Sequence, residues 1–96
     1  MTTYNLEFDK AALKEWKKLN PSIKEHLKKQ LAKRLENPHV ASAACSGKLK
    51  GCYKIKLKSL GYRLIYKVED DVLVVLVLAI GQRDRLAAYK MAEARL

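Results

Sequence analysis

Acidic residues are scarce in this chain: 10 Asp+Glu stand against 20 Lys+Arg, a formal net charge of +10 over 96 residues. Such an imbalance is the electrostatic footprint of a protein that meets a polyanion, whether nucleic acid, an acidic membrane surface or an acidic protein. Cysteine is nearly absent as well. Cys45 and Cys52 lack the second pair of ligands that a zinc site needs, so they read as two reduced thiols, with a disulfide as the alternative. His26 and His39 have no histidine, cysteine or carboxylate constellation around them. Neither is assigned to catalysis or metal, and no cofactor is expected. No apolar run is long enough to span a bilayer. The longest, Val72 to Ile80, falls far short of the ~20 residues a membrane helix requires. The opening Met1-Thr-Thr-Tyr-Asn5 is polar, so no leader and a cytoplasmic location are expected. Repeats, linkers and low-complexity stretches are missing too, which leaves one domain over 1–96. A domain of this size buries roughly 60 to 70 per cent of its unfolded surface. Little is left for an enclosed cavity, so a polymer gripped on an open face fits better than a swallowed metabolite. Size and charge together favour nucleic acid.

Along the chain, Tyr4, Leu6 and Phe8 alternate with Asn5 and Glu7, which predicts a half-buried strand over Thr3 to Phe8. Asp9 suits a helix N-cap, and Ala12, Leu13, Trp16 and Leu19 recur at helical spacing, with Trp16 read as core. Asn20-Pro21 ends that helix and starts a second, whose buried stripe is Ile23, Leu27, Leu31 and Leu35. Asn37-Pro38 stops it. A polar loop, His39 to Gly51, leads into two strands, Cys52 to Lys58 and Tyr62 to Val68, joined by a turn around Ser59-Leu60-Gly61. After a turn at Asp70-Asp71, Val72 to Ile80 is apolar without alternation, as expected of a central strand covered on both faces. Beyond Gly81 the pattern becomes helical again. The expected fold is α+β, order βααβββα, with helices packed on a mainly antiparallel four-stranded sheet.

The informative stretch is the hairpin of residues 52–67. Side chains alternate faces along a strand, so Tyr53, Ile55 and Leu57 lie opposite Lys54, Lys56 and Lys58, and Tyr62, Leu64 and Tyr66 lie opposite Arg63, Ile65 and Lys67. A connection of two or four residues keeps the apolar sets together. A two-residue loop puts Lys56 across from Arg63 and Lys54 across from Ile65. In either case Lys54, Lys56, Lys58, Arg63 and Lys67 share a face, giving a greasy side and a cationic side. For Lys58 and Lys67, near the strand ends, an ordinary solvated face competes with this reading. Like charges placed opposite one another destabilise a sheet, and phosphate is the simplest reason to tolerate them. Lys54 and Lys56 are neighbours on one face, roughly 7 Å apart. Their repulsion of about 2.4 kcal/mol at an effective dielectric of about 20 pushes one of them towards a usable general base. Bound phosphate opposes that shift, and the arithmetic does not choose between the two.

These segments resemble a known family. Cys52-Tyr-Lys-Ile-Lys-Leu57, Gly61-Tyr-Arg-Leu-Ile-Tyr66, the Gly-x-Arg-x-Arg of residues 81–85, and Tyr89 six residues after Arg83 are similar to RelE toxins of the RelE/ParE superfamily. So is the opening Phe8-Asp-x-x-Ala-Leu-Lys-Glu-Trp-x-Lys-Leu19. The resemblance implies a βααβββα domain that inhibits translation by cutting mRNA in the A site of the 70S ribosome. The cut is made without metal, by attack of the adjacent 2′-hydroxyl on the scissile phosphate, and a RelB-like antitoxin blocks it. It further implies Lys56 as general base, Lys54 and Arg63 as the groups holding the phosphate, and Arg83 beside the leaving 5′-oxygen. The same resemblance implies Tyr89 as the ring that stacks on an mRNA base. A guanidinium does not deprotonate readily, so an electrostatic role suits Arg83 better than proton donation. Without the resemblance, Tyr89 in an amphipathic helix reads first as core.

Lys50, Lys58, Arg85, Lys28, Lys29 and Lys33 are further candidates for contact with RNA or the ribosome. For the basic second helix, which also carries Lys24 and Arg34, a solvated face is the first expectation. The segment between Pro38 and Cys52 departs from the family pattern, and the resemblance offers Lys50 as a replacement for an arginine that in the family touches ribosomal RNA. Two alternatives of other classes remain: a ParE-like gyrase poison of the same fold, although such proteins generally lack the full Lys/Lys/Arg/Arg/Tyr set, and a basic RNA-binding module without catalysis.

Overall fold

Helix starts are fixed locally. The Asp9 side chain accepts from Ala11 N at 3.0 Å to begin α1 (Lys10–Lys17), and Asn20 accepts from Ser22 N at 2.8 Å to begin α2 (Pro21–Glu36). The computed structural model describes residues 3–82 and 87–96. Around the two helices lie β1 (Asn5–Phe8), β2 (Cys52–Leu57), β3 (Tyr62–Glu69), β4 (Val74–Gln82) and α3 (Ala87–Arg95). This is the expected α+β order. The sheet runs β1-β4-β3-β2, with β1 parallel to β4 and the other pairs antiparallel.

Helices cover both faces. Leu27 and Leu31 of α2 and Ala12 of α1 pack on Ile55, Leu57, Leu64, Tyr66, Val75, Val77 and Ile80. On the other face, Ala88 and Ala92 of α3 pack with Leu49, Cys52, Ile65, Leu78 and Ala79. The division into a greasy and a cationic side is therefore too simple. The face that carries Lys54 and Arg63 is half covered by α3, and Ile65, alone among cations in the sequence pattern, is wholly buried there.

A bulge explains how β4 serves both layers. Ile65 pairs with Ala79 but Tyr66 pairs with Val77, so Leu78 is an extra residue in β4. Leu78 and Ala79, consecutive in sequence, consequently both face α3, which a regular strand forbids. The strand also starts later than its apolar run: Val72 and Leu73 lie exposed in the turn, Leu73 with a φ of 55°. In α1, Leu13 is exposed rather than buried.

Since β1 pairs only as far as Phe8 with Val77, the rest of the β4 edge needs other partners. Glu15 Oε1 accepts from Ile80 N at 3.1 Å, and Arg95 donates to Leu78 O at 2.8 Å. Glu15 and Arg95 join through two contacts of 2.9 Å, pinning α3 to α1 across the end of the sheet. The loop before β2 is more ordered than its composition implies, with turns of 3-10 helix at Ala41–Ala43 and Gly47–Leu49 and an antiparallel bridge between Ala44 and Tyr53.

Candidate active site

The β2–β3 hairpin sets the site. Lys56 pairs with Arg63 and Lys54 with Ile65, as expected, while Lys58 falls outside β2 in the four-residue connection to Tyr62. Gly61, at a φ of 69°, lets its N–H return to Leu57 O at 2.8 Å and close the turn. Behind the hairpin, Arg34 of α2 donates to Lys54 O at 3.2 Å and to the Tyr66 hydroxyl at 3.0 Å, and that hydroxyl donates to Pro38 O at 2.8 Å. The sequence pattern places Arg34 on a solvated face. Instead it anchors the backbone of a site lysine, and its one visible signal is a position three residues after Leu31 on the buried stripe.

Lys54 and Arg63 line an open groove of about 350 Å³ with Tyr89 and Glu93 of α3 and with Ala44, Cys45, Ser46 and Leu49 of the preceding loop. The Arg63 guanidinium lies 5.2 Å from the centre of the Tyr89 ring, and its buried Nε has no hydrogen-bond partner among the described residues. Tyr89 is thus both a packed residue and a groove wall. Glu93, one helical turn further on, is an acid the sequence pattern did not single out. Lys56 and Lys58 border a smaller adjoining hollow with Tyr62 and Arg63. Lys56 is exposed, and its ammonium is held below the usual lysine range, first by the charge of Lys54, then by partial desolvation, Arg63 and Lys58. This repulsion makes the Lys56 proton easier to lose than that of an isolated lysine.

Other candidates fall elsewhere. Arg83 and Arg85 lie outside the described residues. Lys50 is exposed after the second 3-10 turn and is not among the groove's lining residues. Lys28, Lys29 and Lys33 are exposed on α2, in the layer across the sheet from α3, and Lys28 borders a separate apolar hollow with Leu6, Phe8 and Trp16. They are not part of the groove. Gly81, the first residue of the Gly-x-Arg-x-Arg motif, pairs with Arg63 directly under α3. A Cβ there would stand 3.1 Å from Met91 Cε and 3.3 Å from the Ala88 backbone nitrogen. Close helix packing therefore accounts for this glycine. His39 joins no metal cluster among the described residues; its ring bridges the Tyr53 hydroxyl at 2.9 Å and Asp70 at 2.8 Å.

A family model described as the ParE toxin of the type II toxin-antitoxin system, parDE, matches residues 6–87. The mRNA interferase toxin RelE of Escherichia coli K12 is 46% identical over 93 residues, covering 97% of each chain. The mRNA interferase RelE of Shigella flexneri is equally similar, at 46% with the same coverage. Among solved structures, a double-arginine mutant of the E. coli toxin RelE in the free state superposes with a TM-score of 0.88 at 44% identity, covering 98% of each chain. The intact E. coli RelBE toxin-antitoxin complex gives 0.81 at 48% identity, over 85% of this chain and 99% of that one. With the βααβββα fold and the basic hairpin facing Tyr89, these likenesses establish that the chain belongs to the RelE/ParE family of type II toxins.

Proposed function

We propose that the chain is an mRNA interferase: the toxin of a toxin–antitoxin pair, acting in the cytoplasm as a ribosome-dependent endoribonuclease that cuts mRNA in the A site and stops translation. The observation that carries this reading is the convergence of Lys54 and Arg63 with Tyr89 on one groove, with Lys56 beside it. The 46% identity to an mRNA interferase supports it.

The chemistry follows from the charges. A neutral Lys56 takes the proton of the 2′-hydroxyl, whose oxygen attacks the neighbouring phosphorus and expels the 5′-oxygen, which takes up a proton from solvent to become a 5′-hydroxyl, leaving a 2′,3′-cyclic phosphate. Lys54 and Arg63 bear on the phosphoryl oxygens, where negative charge grows in the transition state, and a guanidinium fork matches them in pairs. Arg83, in the motif that follows Gly81, supplies charge to the leaving oxygen. Tyr89 offers a ring for stacking with an unpaired base, an interaction of about 1 to 3 kcal/mol in single-strand binders. A site without histidine or a strong base relies on alignment of the 2′-hydroxyl, which the ribosome provides.

The test is primer extension on mRNA bound to programmed ribosomes. The wild-type protein is expected to add a cut inside the A-site codon, and Arg63→Ala and Arg83→Ala to lose it while remaining folded. If a folded, antitoxin-free protein cuts no A-site codon, the interferase reading is wrong. The matching family model is named for ParE, which keeps gyrase binding as the second reading, to be read by a supercoiling assay. The partner we infer is a RelB-like antitoxin, acidic or amphipathic, that covers or displaces α3 and neutralises the cationic face. Co-expression with the adjoining reading frame should recover it as a complex.

A further inference from the structure

We infer that Cys45 and Cys52 form a thiol-exchange site on the groove wall, in which Cys45 reacts with a low-molecular-weight disulfide and Cys52 resolves the product into an internal bridge. The inference is independent of what the groove cleaves. Ala44 pairs antiparallel with Tyr53, so Cys45 falls directly opposite Cys52, and Cys45 N–H donates to Cys52 O at 2.9 Å. Directly opposite residues in a hydrogen-bonded antiparallel pair stand roughly 5.5 Å apart at Cα with side chains on one face. Disulfides form across roughly 4.4 to 6.8 Å. Both side chains belong to the same cluster beneath α3, with Cys45 packed against it and Cys52 within it. The bridge therefore sets two free thiols at facing positions of neighbouring segments, on the same side of the sheet.

The two differ in access, which fixes their order of reaction. Cys45 is partly exposed and lines the groove beside Lys54, whereas Cys52 is 1% exposed. An incoming disulfide RSSR reaches only Cys45. Its thiolate attacks one sulfur, forming Cys45–S–S–R and releasing RS⁻, which takes up a proton equivalent to the one Cys45 lost. Cys52, deprotonated in turn, attacks the Cys45 sulfur and expels the second RS⁻. Two protein thiols are thereby oxidised by two electrons and RSSR is reduced to two RSH. Burial pushes both thiols above the usual range, although Lys54 pulls Cys45 and Lys67 pulls Cys52 the other way. Since only the thiolate attacks, exchange accelerates as pH rises through the ordinary thiol range and beyond. The bridge closes the short loop of Ser46 to Gly51 onto β2, and so fixes the wall of the groove that faces Tyr89 and Glu93.

The test treats the folded full-length chain with oxidised glutathione, quenches with acid at intervals, and maps thiols by non-reducing peptide mass spectrometry. The expected sequence is a transient glutathione adduct on Cys45, then concerted loss of both thiols in an internal Cys45–Cys52 bridge that dithiothreitol reverses. In Cys52→Ala the adduct should persist on Cys45, and in Cys45→Ala the remaining thiol should stay unmodified until denaturant is added. If either variant fails to fold, the wild-type time course alone decides. A first adduct on Cys52, a lasting Cys45 adduct without closure, linkage between chains, or closure only in denaturant would each overturn the proposal.

Discussion

Lys56 carries a charge that its neighbours make harder to hold, with Lys54 the largest influence. Because the folded state binds this proton less readily than the unfolded chain does, Lys56 opposes folding at low pH. That opposition fades as pH rises through its depressed value and is gone once the unfolded lysine also deprotonates, near ~10.4. Replacing Lys54 with Gln removes the main repulsion. In Lys54→Gln the Lys56 ammonium should titrate at higher pH, observed as a shift of its side-chain carbon resonance by NMR. An unchanged titration would remove the electrostatic basis for Lys56 as base. Arg34 belongs to this scale as well, since it holds the Lys54 carbonyl and the Tyr66 hydroxyl together.

At the scale of elements, the position of α3 decides whether Tyr89 meets Arg63. Two features dock it. Gly81 leaves no room for a side chain, and the Ala88 backbone that a Cβ would crowd cannot rotate away. We expect Gly81→Ala to cost about 1 to 3 kcal/mol, typical of overpacking. Amide exchange should then accelerate in α3 more than in α1 or α2. Arg95 is the second feature, with Glu15 and the Leu78 carbonyl as partners and only 19% of its side chain exposed. Arg95→Ala leaves Glu15 and the bulge carbonyl short of a partner, and should lower stability by roughly 2 kcal/mol in chemical denaturation, the usual range for hydrogen bonds to charged groups. A loss in Arg95→Ala indistinguishable from experimental error would mean that α3 is held by its apolar face alone.

Across the whole molecule, a polar chain ties together parts far apart in sequence. Tyr4 donates to Asp70 at 2.5 Å, His39 contacts the same carboxylate oxygen, and His39 reaches the Tyr53 hydroxyl, whose ring stacks on Tyr66. The hydrogen bond from Tyr4, then that from His39, holds the Asp70 carboxyl below its usual range. Its contribution to stability is therefore complete above the ordinary carboxylate value of ~3.9 and is lost as pH falls through the depressed one. Asp70→Asn should show a smaller fall in melting temperature on acidification than the wild type, with the two curves converging at the acid end in calorimetry. Parallel curves would assign the acid sensitivity to other carboxylates. The net charge of +10 acts at this scale too: binding to any RNA should weaken steeply and log-linearly with salt, because each counterion released from the RNA gains less entropy as the bulk salt rises.

Local chemistry made much of this protein legible without coordinates. Asp9 and Asn20-Pro21 state where helices begin, alternation defines the hairpin and its register, and the unbroken apolar run marks β4 as the central strand. These features depend on neighbours along the chain, or on a period of two or three to four residues, and so are written in the order of the residues. Strand alternation placed Lys54, Lys56 and Arg63 on one face, and only the resemblance to the family's motifs added Tyr89 to them as a candidate. Periodicity alone left Tyr89 as core, and core packing is half of what it does. Other features depended on which surfaces meet. The extra residue at Leu78, the fit of α3 over Gly81, Glu93 in the groove and the bridge of Ala44 to Tyr53 leave no mark in periodicity, and the inward turn of Arg34 leaves only its place beside the buried stripe. Each is decided by contacts between segments that the sequence keeps apart, because close packing and unpaired backbone groups are properties of the assembled layers and not of any one of them.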